Sequence, residues 1–230
     1  MKRFYENVTV SETPDGFRFL LDGKPVQTPA RQPLVLPNRV LAEALAEEWR
    51  VQGAEMQPLA MPLTRLVNTV VDGVRAKRDE TIAAILRFGE NDLLSYRAEA
   101  PAELARRQGQ WDAWLDWVHK HLDARLEITS GIGHVGQSPE ALAALQRAIA
   151  AQDDYALAAL HTFSSITGSL VLGLAVLEGE LTPEEAFALS RLDEDYQTEQ
   201  WGADREAQER AARLAREMEL AARLVILSRT

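Results

Sequence analysis

Val8-Thr9-Val10-Ser11-Glu12-Thr13-Pro14-Asp15-Gly16-Phe17-Arg18-Phe19-Leu20-Leu21-Asp22-Gly23-Lys24-Pro25-Val26-Gln27-Thr28 is a series of short extended runs separated by Asp15-Gly16 and Asp22-Gly23. Asp-Gly pairs between alternating runs are tight-turn signals, because glycine accepts the positive φ that hairpin turns demand. The stretch therefore reads as a small antiparallel sheet, and extended signals continue from Phe4 to Leu36. A sheet with one apolar face needs a cover. Asn38 is placed to cap a helix on which Leu41, Ala44, Leu45, Glu48 and Trp49 recur at helical spacing. Sheet and helix make a two-layer unit, in which Asp22, Gly23 and Trp49 are read as structural residues.

Further along, Met61-Pro62-Leu63-Thr64-Arg65-Leu66-Val67-Asn68-Thr69-Val70 opens on proline and keeps helical periodicity until Asp72-Gly73. A junction near residue 75 follows, dividing a small α/β domain, residues 1–75, from a helical domain, residues 76–230. Beyond it the helical patterns run over Asp79 to Phe88, Pro101 to Leu126, Ser138 to Ala151, Tyr155 to Leu177, Pro183 to Gln200 and Asp204 to Ser228. The fold class is α+β, a sheet-plus-helix amino-terminal domain followed by a larger helical bundle. Thr182-Pro183-Glu184-Glu185 has the form of a capping box with proline at the first helical position. On the last helix Ala207, Ala211, Leu214, Met218, Ala221 and Val225 form a thin, alanine-rich seam, expected to pack inside its own bundle.

The 230 residues are 46% hydrophobic, enough for a sizeable core, and contain no cysteine. Disulfides, thiolate metal sites and cysteine nucleophiles are excluded, and a reducing compartment fits. Met1-Lys2-Arg3-Phe4-Tyr5-Glu6 leads directly into strand-like sequence, without the apolar run of a signal peptide or the Arg/Ser-rich composition of a transit peptide. The longest apolar run, Leu170 to Leu177, is too short to span a bilayer. A formal charge of −10 repels phosphate backbones, so no nucleic-acid partner and no membrane insertion are expected.

Several patterns resemble catalytic motifs without their context. Gly131-Ile132-Gly133-His134-Val135-Gly136 matches the dinucleotide-binding glycine pattern, with Asp153 or Asp154 near the spacing of a ribose-binding acid. That motif needs a strand before it, a helix starting within it and a parallel strand after it. Here the next helix begins later, at Ser138-Pro139, so the glycines read as an interhelical loop. His119, His121, His134 and His161 have no metal-ligand spacing, Ser164, Ser165 and Ser169 lack a nucleophile elbow, and no P-loop is present. No catalytic residue, metal or cofactor is expected.

Two features suit a partner instead. Trp111, Trp114 and Trp117 lie on one helical pattern, with Trp111, Trp114 and Val118 on its core face and Trp117 turned aside, the better placed for contact. The other is Leu192-Asp193-Glu194-Asp195-Tyr196-Gln197-Thr198-Glu199-Gln200-Trp201-Gly202. Its three consecutive acids repel one another and fall late in the helix read from Pro183, where the helix dipole disfavours them. Asp193 shares a stripe with Ala186, Leu189, Tyr196 and Gln200 and so leans inward. Charge pattern alone leaves a solvated acidic face and a binding site as alternatives.

Taken in order, Arg3-Phe4-Tyr5, Leu21-Asp22-Gly23-Lys24-Pro25-Val26, Thr28-Pro29, Glu47-Glu48-Trp49, Met61-Pro62-Leu63-Thr64, Asp92 through Tyr96-Arg97, and Leu189-Ser190-Arg191-Leu192 through Trp201-Gly202 resemble a known family. It is the ATP synthase assembly chaperone family that binds the unassembled alpha subunit of the F-ATPase catalytic head. The resemblance covers essentially the whole chain. It implies a two-part chaperone that shields alpha until the beta subunit replaces it, with no enzymatic step. The family's acids before Tyr-Gln, usually three glutamates, fall on Asp193, Glu194 and Asp195, so these, Tyr196, Gln197, Trp201 and Trp117 are the expected partner-binding residues. After Trp201-Gly202, where the family often carries a glutamate and then a histidine, this chain has Arg205 and Gln208. Mitochondrial members carry an import sequence ahead of Arg-Phe-Tyr, so a bacterial, cytoplasmic, monomeric version is expected. The alternative function is a small-molecule enzyme using Leu192–Gly202 or the Gly131–Gly136 loop.

Overall fold

A computed structural model describes residues 2–131, 133–202 and 204–230. It divides into two compact units, residues 1–78 with 223–230, and residues 79–222.

In the first unit β1 (Val8–Thr13), β2 (Gly16–Leu21) and β3 (Lys24–Pro25) form an antiparallel sheet in that order. Thr13 pairs with Gly16, so the first turn falls on Pro14-Asp15 and not on Asp15-Gly16. Gly16 is needed for a different reason. Its φ is +136°, and a Cβ there would run into the Leu36 carbonyl oxygen, which accepts from the Phe17 N–H at 2.9 Å. The second turn is on Asp22-Gly23, both with positive φ, between the paired Leu21 and Lys24. The Asp22 carboxylate accepts from the Asn7 N–H at 2.8 Å and the Glu6 N–H at 3.2 Å, bonds that hold it below the usual carboxylate range.

Helix α1 (Arg39–Arg50) buries Leu41, Ala42, Leu45 and Ala46, and Trp49 sits between the rings of Tyr5 and Phe19 with centroids at 5.6 and 5.7 Å. Asn38 serves two helix ends at once. Its Oδ1 accepts from Leu41 N–H at 2.8 Å, capping α1, while its Nδ2 donates to the Leu227 and Ser228 carbonyls at 2.8 and 3.0 Å. Those carbonyls would otherwise be orphaned at the end of the last helix, and the tie joins Asn38 to residues 223–230, which belong to the first unit although their sequence continues the helical pattern.

The Glu48 carboxylate accepts from Leu63 N–H (2.8 Å), Thr64 N–H (2.7 Å) and Thr64 Oγ1 (2.7 Å), capping α2 (Pro62–Thr69) from a different helix. Asp72-Gly73 does not end the helical path, which continues as a single π-turn, Val70–Val74. Glu48→Ala removes three bonds from a half-buried helix start and is expected to cost about 2 kcal/mol. A shift of the urea midpoint corresponding to less than about 0.5 kcal/mol would show that solvent replaces the cap.

In the second unit, α7 (Asp154–Thr167) packs against α8 (Leu170–Leu177), every residue of which is buried. The continuous helix read over Tyr155 to Leu177 is broken at Gly168, whose φ of +69° ends α7. Gly173 lets the two helices approach, since a Cβ there would lie 2.8 Å from Ser164 Oγ. Helices α5 (Asp112–Leu122) and α9 (Pro183–Ser190) pack on this pair, α10 (Leu192–Trp201) lies against α9 and α4 (Ala102–Gln108), and α3 (Arg78–Glu90), α6 (Pro139–Ala150) and α11 (Arg205–Arg229) are the remaining helices. A 3₁₀ turn at Gly109–Trp111 separates α4 from α5, so the Pro101–Leu126 pattern is also two helices. Two short strands, β4 (Tyr96–Arg97) and β5 (Thr129–Ser130), pair in parallel. The capping box at Thr182 and Glu185 forms with both reciprocal bonds. Met218, Ala221 and Val225 of the α11 seam are buried, whereas Ala207 is exposed.

Candidate partner-binding site

The acidic segment sits at a helix start and not at a helix end. Trp111 Nε1–H donates to the Leu189 carbonyl at 2.9 Å. In a continuous helix that carbonyl would accept from the Asp193 N–H, so the indole takes the acceptor on which continuation depends. The chain breaks after Ser190 and restarts at Leu192, with Asp195 N–H bonded to Arg191 O at 2.8 Å. Asp193, Glu194 and Asp195 thereby occupy the first turn of α10, at the positive end of its dipole. This corrects the reading of one helix over Pro183–Gln200: the break converts three unfavourably placed acids into favourably placed ones.

Each acid then has a different setting. Asp193 is half-buried and its Oδ1 accepts from Gln108 Nε2 at 2.7 Å. Gln108 is buried, and the other end of its amide accepts from Ala98 N–H at 2.7 Å. The Gln108 main-chain carbonyl accepts from Arg97, whose guanidinium also reaches the Leu94 carbonyl at 3.0 Å and Asp112 at 2.8 Å and lies over the Trp111 ring. Burial lowers the Arg97 pKa, and the Asp112 carboxylate opposes that. Asp195 is exposed and 3.7 Å from Arg191. Glu194 is exposed and, among the described residues, has no ion-pair partner.

Farther along α10, Glu199 Oε1 and Oε2 accept the Nη1 and Nη2 donors of Arg107 at 2.8 and 2.7 Å, and Arg107 lies over the Tyr196 ring at 5.4 Å. The Arg107 bonds pull the Glu199 pKa down, and hydrogen bonds from Arg106 and Arg107 hold Glu103 down to about 2. Gln197 is exposed, and Trp201, the last residue of α10, is 79% exposed. This chemistry fits a basic partner. The second unit carries 26 acidic against 12 basic side chains, net −14, whereas the first carries 9 acidic against 13 basic, net +4.

Trp117 is not turned outward. It is 8% exposed, edge-on to Trp114 (6.3 Å) and tilted against His121 (5.2 Å), because the buried arc of α5 is wide enough to take Trp117 together with Leu115 and Val118. The glycine run follows the two-residue β5, but α6 begins only at Pro139, capped by the Ser138 side chain, so among the described residues no helix starts within the glycines. Ile132 lies outside the described residues. His134 bonds Tyr96 OH at 3.1 Å, and His121 bonds the Trp117 carbonyl at 2.9 Å.

Sequence reasoning missed Gln108, Arg107 and Arg97. Gln108 had a signal, since it lies four residues from Leu104 on the buried stripe of α4. The Arg107 pairing crosses 92 residues and leaves no local trace.

The profile of the ATP12 chaperone protein family matches residues 2–119. Over 222 residues, the chain is 26% identical to "protein atp12, mitochondrial" of Schizosaccharomyces pombe, spanning 90% of this chain and 76% of that one. The crystal structure of Atp12 from Paracoccus denitrificans superposes with a TM-score of 0.95 at 42% identity, over 99% of this chain and 98% of that one. A putative chaperone from Agrobacterium tumefaciens gives a TM-score of 0.92 at 46% identity, over 100% of this chain and 86% of that one.

Proposed function

The chain belongs to the ATP12 chaperone family, and we propose that it assists assembly of the F-type ATP synthase catalytic head by binding the free alpha subunit and covering its beta-binding surface until beta takes its place. An unassembled subunit exposes apolar surface meant for its partner, and covering that surface prevents aggregation. The observation that carries this reading is the first turn of α10, which presents Glu194 to solvent without an ion partner among the described residues. Glu194 meets a basic group of alpha. Gln197 and the exposed Trp201 extend the contact, while Asp193 and Asp195 hold the turn in place and Tyr196 lies beside it against Arg107. Trp117 is buried and takes no part. The protein works in the cytoplasm as a monomer.

Glu194→Lys tests the assignment. The side chain is exposed, so the variant should unfold at the same denaturant concentration as the wild type while losing its suppression of alpha-subunit aggregation. Retained protection would remove Glu194 from the interface. Equal protection of an unrelated unstable protein by the wild type would argue against alpha as the client.

A further inference from the structure

Glu103, Glu199 and Tyr196 together make a receptor for a guanidinium group, and it is filled by the chain itself. Two Arg107 donors meet both oxygens of Glu199, at 2.8 and 2.7 Å, while Arg107 Nε reaches Glu103 Oε1 at 3.2 Å. The Cζ atom lies 5.4 Å from the Tyr196 ring centroid. A planar fork gripped by carboxylates and laid against an aromatic ring is an arrangement specific to arginine, which lysine cannot reproduce.

The arrangement is also open to exchange. Arg107 is 27% exposed and Glu199 51%, so water reaches both partners and can replace either, although the two-point geometry makes this pair stronger than an ordinary surface ion pair. Glu103 keeps Arg106, at 2.8 and 3.1 Å, when Arg107 leaves. The seating of α10 does not depend on Arg107 either, since Gln108 holds Asp193 and Trp111 holds the Leu189 carbonyl just before the helix. Along α10, Asp195 and Glu199 are one turn apart, each paired with an arginine of the chain, and Glu194, without an ion-pair partner among the described residues, stands beside them.

We infer that Arg107 is an internal stand-in for an arginine of the client: in the free chaperone it occupies the Glu199–Tyr196 receptor, and a client arginine displaces it on binding. This rests on the α10 surface being the client-binding surface. Glu194 makes the first contact, the incoming guanidinium replaces Arg107, and the displaced Arg107 remains nearby as a competitor. Self-competition of this kind lowers affinity without lowering specificity and leaves the complex loose enough for the client to be handed on.

Arg107→Gln removes the competitor. Titrated with purified ATP synthase alpha subunit, this variant should bind roughly fivefold more tightly than the wild type, the equivalent of one exposed ion pair, and release alpha more slowly. Its urea midpoint should be unchanged, and Arg107→Lys, which keeps the charge but not the fork, should fall between the two. Unchanged or weaker binding by Arg107→Gln overturns the inference, and so does a lowered urea midpoint, which makes Arg107 a structural clamp. Glu194→Lys separates the two levels. If it leaves alpha binding intact, the α10 surface is wrong; if it abolishes binding while Arg107→Gln does not tighten it, only the stand-in is wrong.

Discussion

Asp92→Ala is expected to destabilise the second unit by about 4 kcal/mol. Asp92 is fully buried, with Oδ1 accepting from Leu94 N–H and Oδ2 from Val171 N–H, both at 3.0 Å. The second bond crosses 79 residues to the start of α8, a helix with no exposed residue and no access to water for its first donors. Asp92 and the Ser169 hydroxyl, which accepts from Leu172 N–H at 3.0 Å, replace that water. Alanine leaves two buried N–H groups unpaired, each costing roughly 1–3 kcal/mol. The effect depends on pH. Burial pushes the Asp92 carboxyl up from 3.8 to about 6, against the pull of the surrounding donors. A raised folded-state pKa contributes stability that is present below the unfolded value and lost as pH rises through the folded one. The stability gap between wild type and Asp92→Ala should therefore be wider at pH 5 than at pH 8, by about 1 kcal/mol. A gap that does not change over this range would mean the carboxyl is ionised throughout.

Much of this architecture is written locally. The Asp22-Gly23 turn, the Asn38 cap and the Thr182 capping box depend on residues within a few positions of one another, and composition near them is informative. The helix breaks at Ser190 and before Asp112 are not local. The first depends on an indole 78 residues away taking the Leu189 carbonyl, and the periodicity of Pro183–Gln200 passes through it undisturbed. The candidate site shows the same division. The inward lean of Asp193 is a matter of helical geometry and is visible in sequence, but the sign of the dipole at Asp193–Asp195 depends on the break and reverses with it. Trp117 is misread for a different reason: the spacing within α5 shows that it lies aside from Trp114 and Val118, but not that the buried arc extends far enough round the helix to cover it. Asn38 also shows how a residue legible as a cap has a second role that is not: its amide holds the end of a helix 189 residues away.

Gln108→Glu should be nearly as damaging as the loss of Asp92, and a second substitution should repair it. The Gln108 amide donates to Asp193 and accepts from Ala98 N–H, so its two ends are chemically distinct. A carboxylate there keeps the Ala98 bond but places an anionic oxygen 2.7 Å from Asp193 Oδ1. Two carboxylates at that distance repel, and the cost at neutral pH is about 3 kcal/mol. It should shrink as pH falls, because one shared proton restores a donor between the oxygens. Gln108→Glu combined with Asp193→Asn reverses the polarity of the bond, the new amide donating to the new carboxylate, and should recover at least about 2 kcal/mol in a double-mutant cycle. Failure to recover would show that this bond does not seat α10. The repaired protein also assigns Asp193, because its fold is intact while the charge has moved from α10 to α4. If Asp193 is an anchor that orients the turn and Glu194 makes the contact, the double variant protects the alpha subunit as well as the wild type does. Loss of protection in the repaired fold would place the Asp193 carboxylate itself against the client.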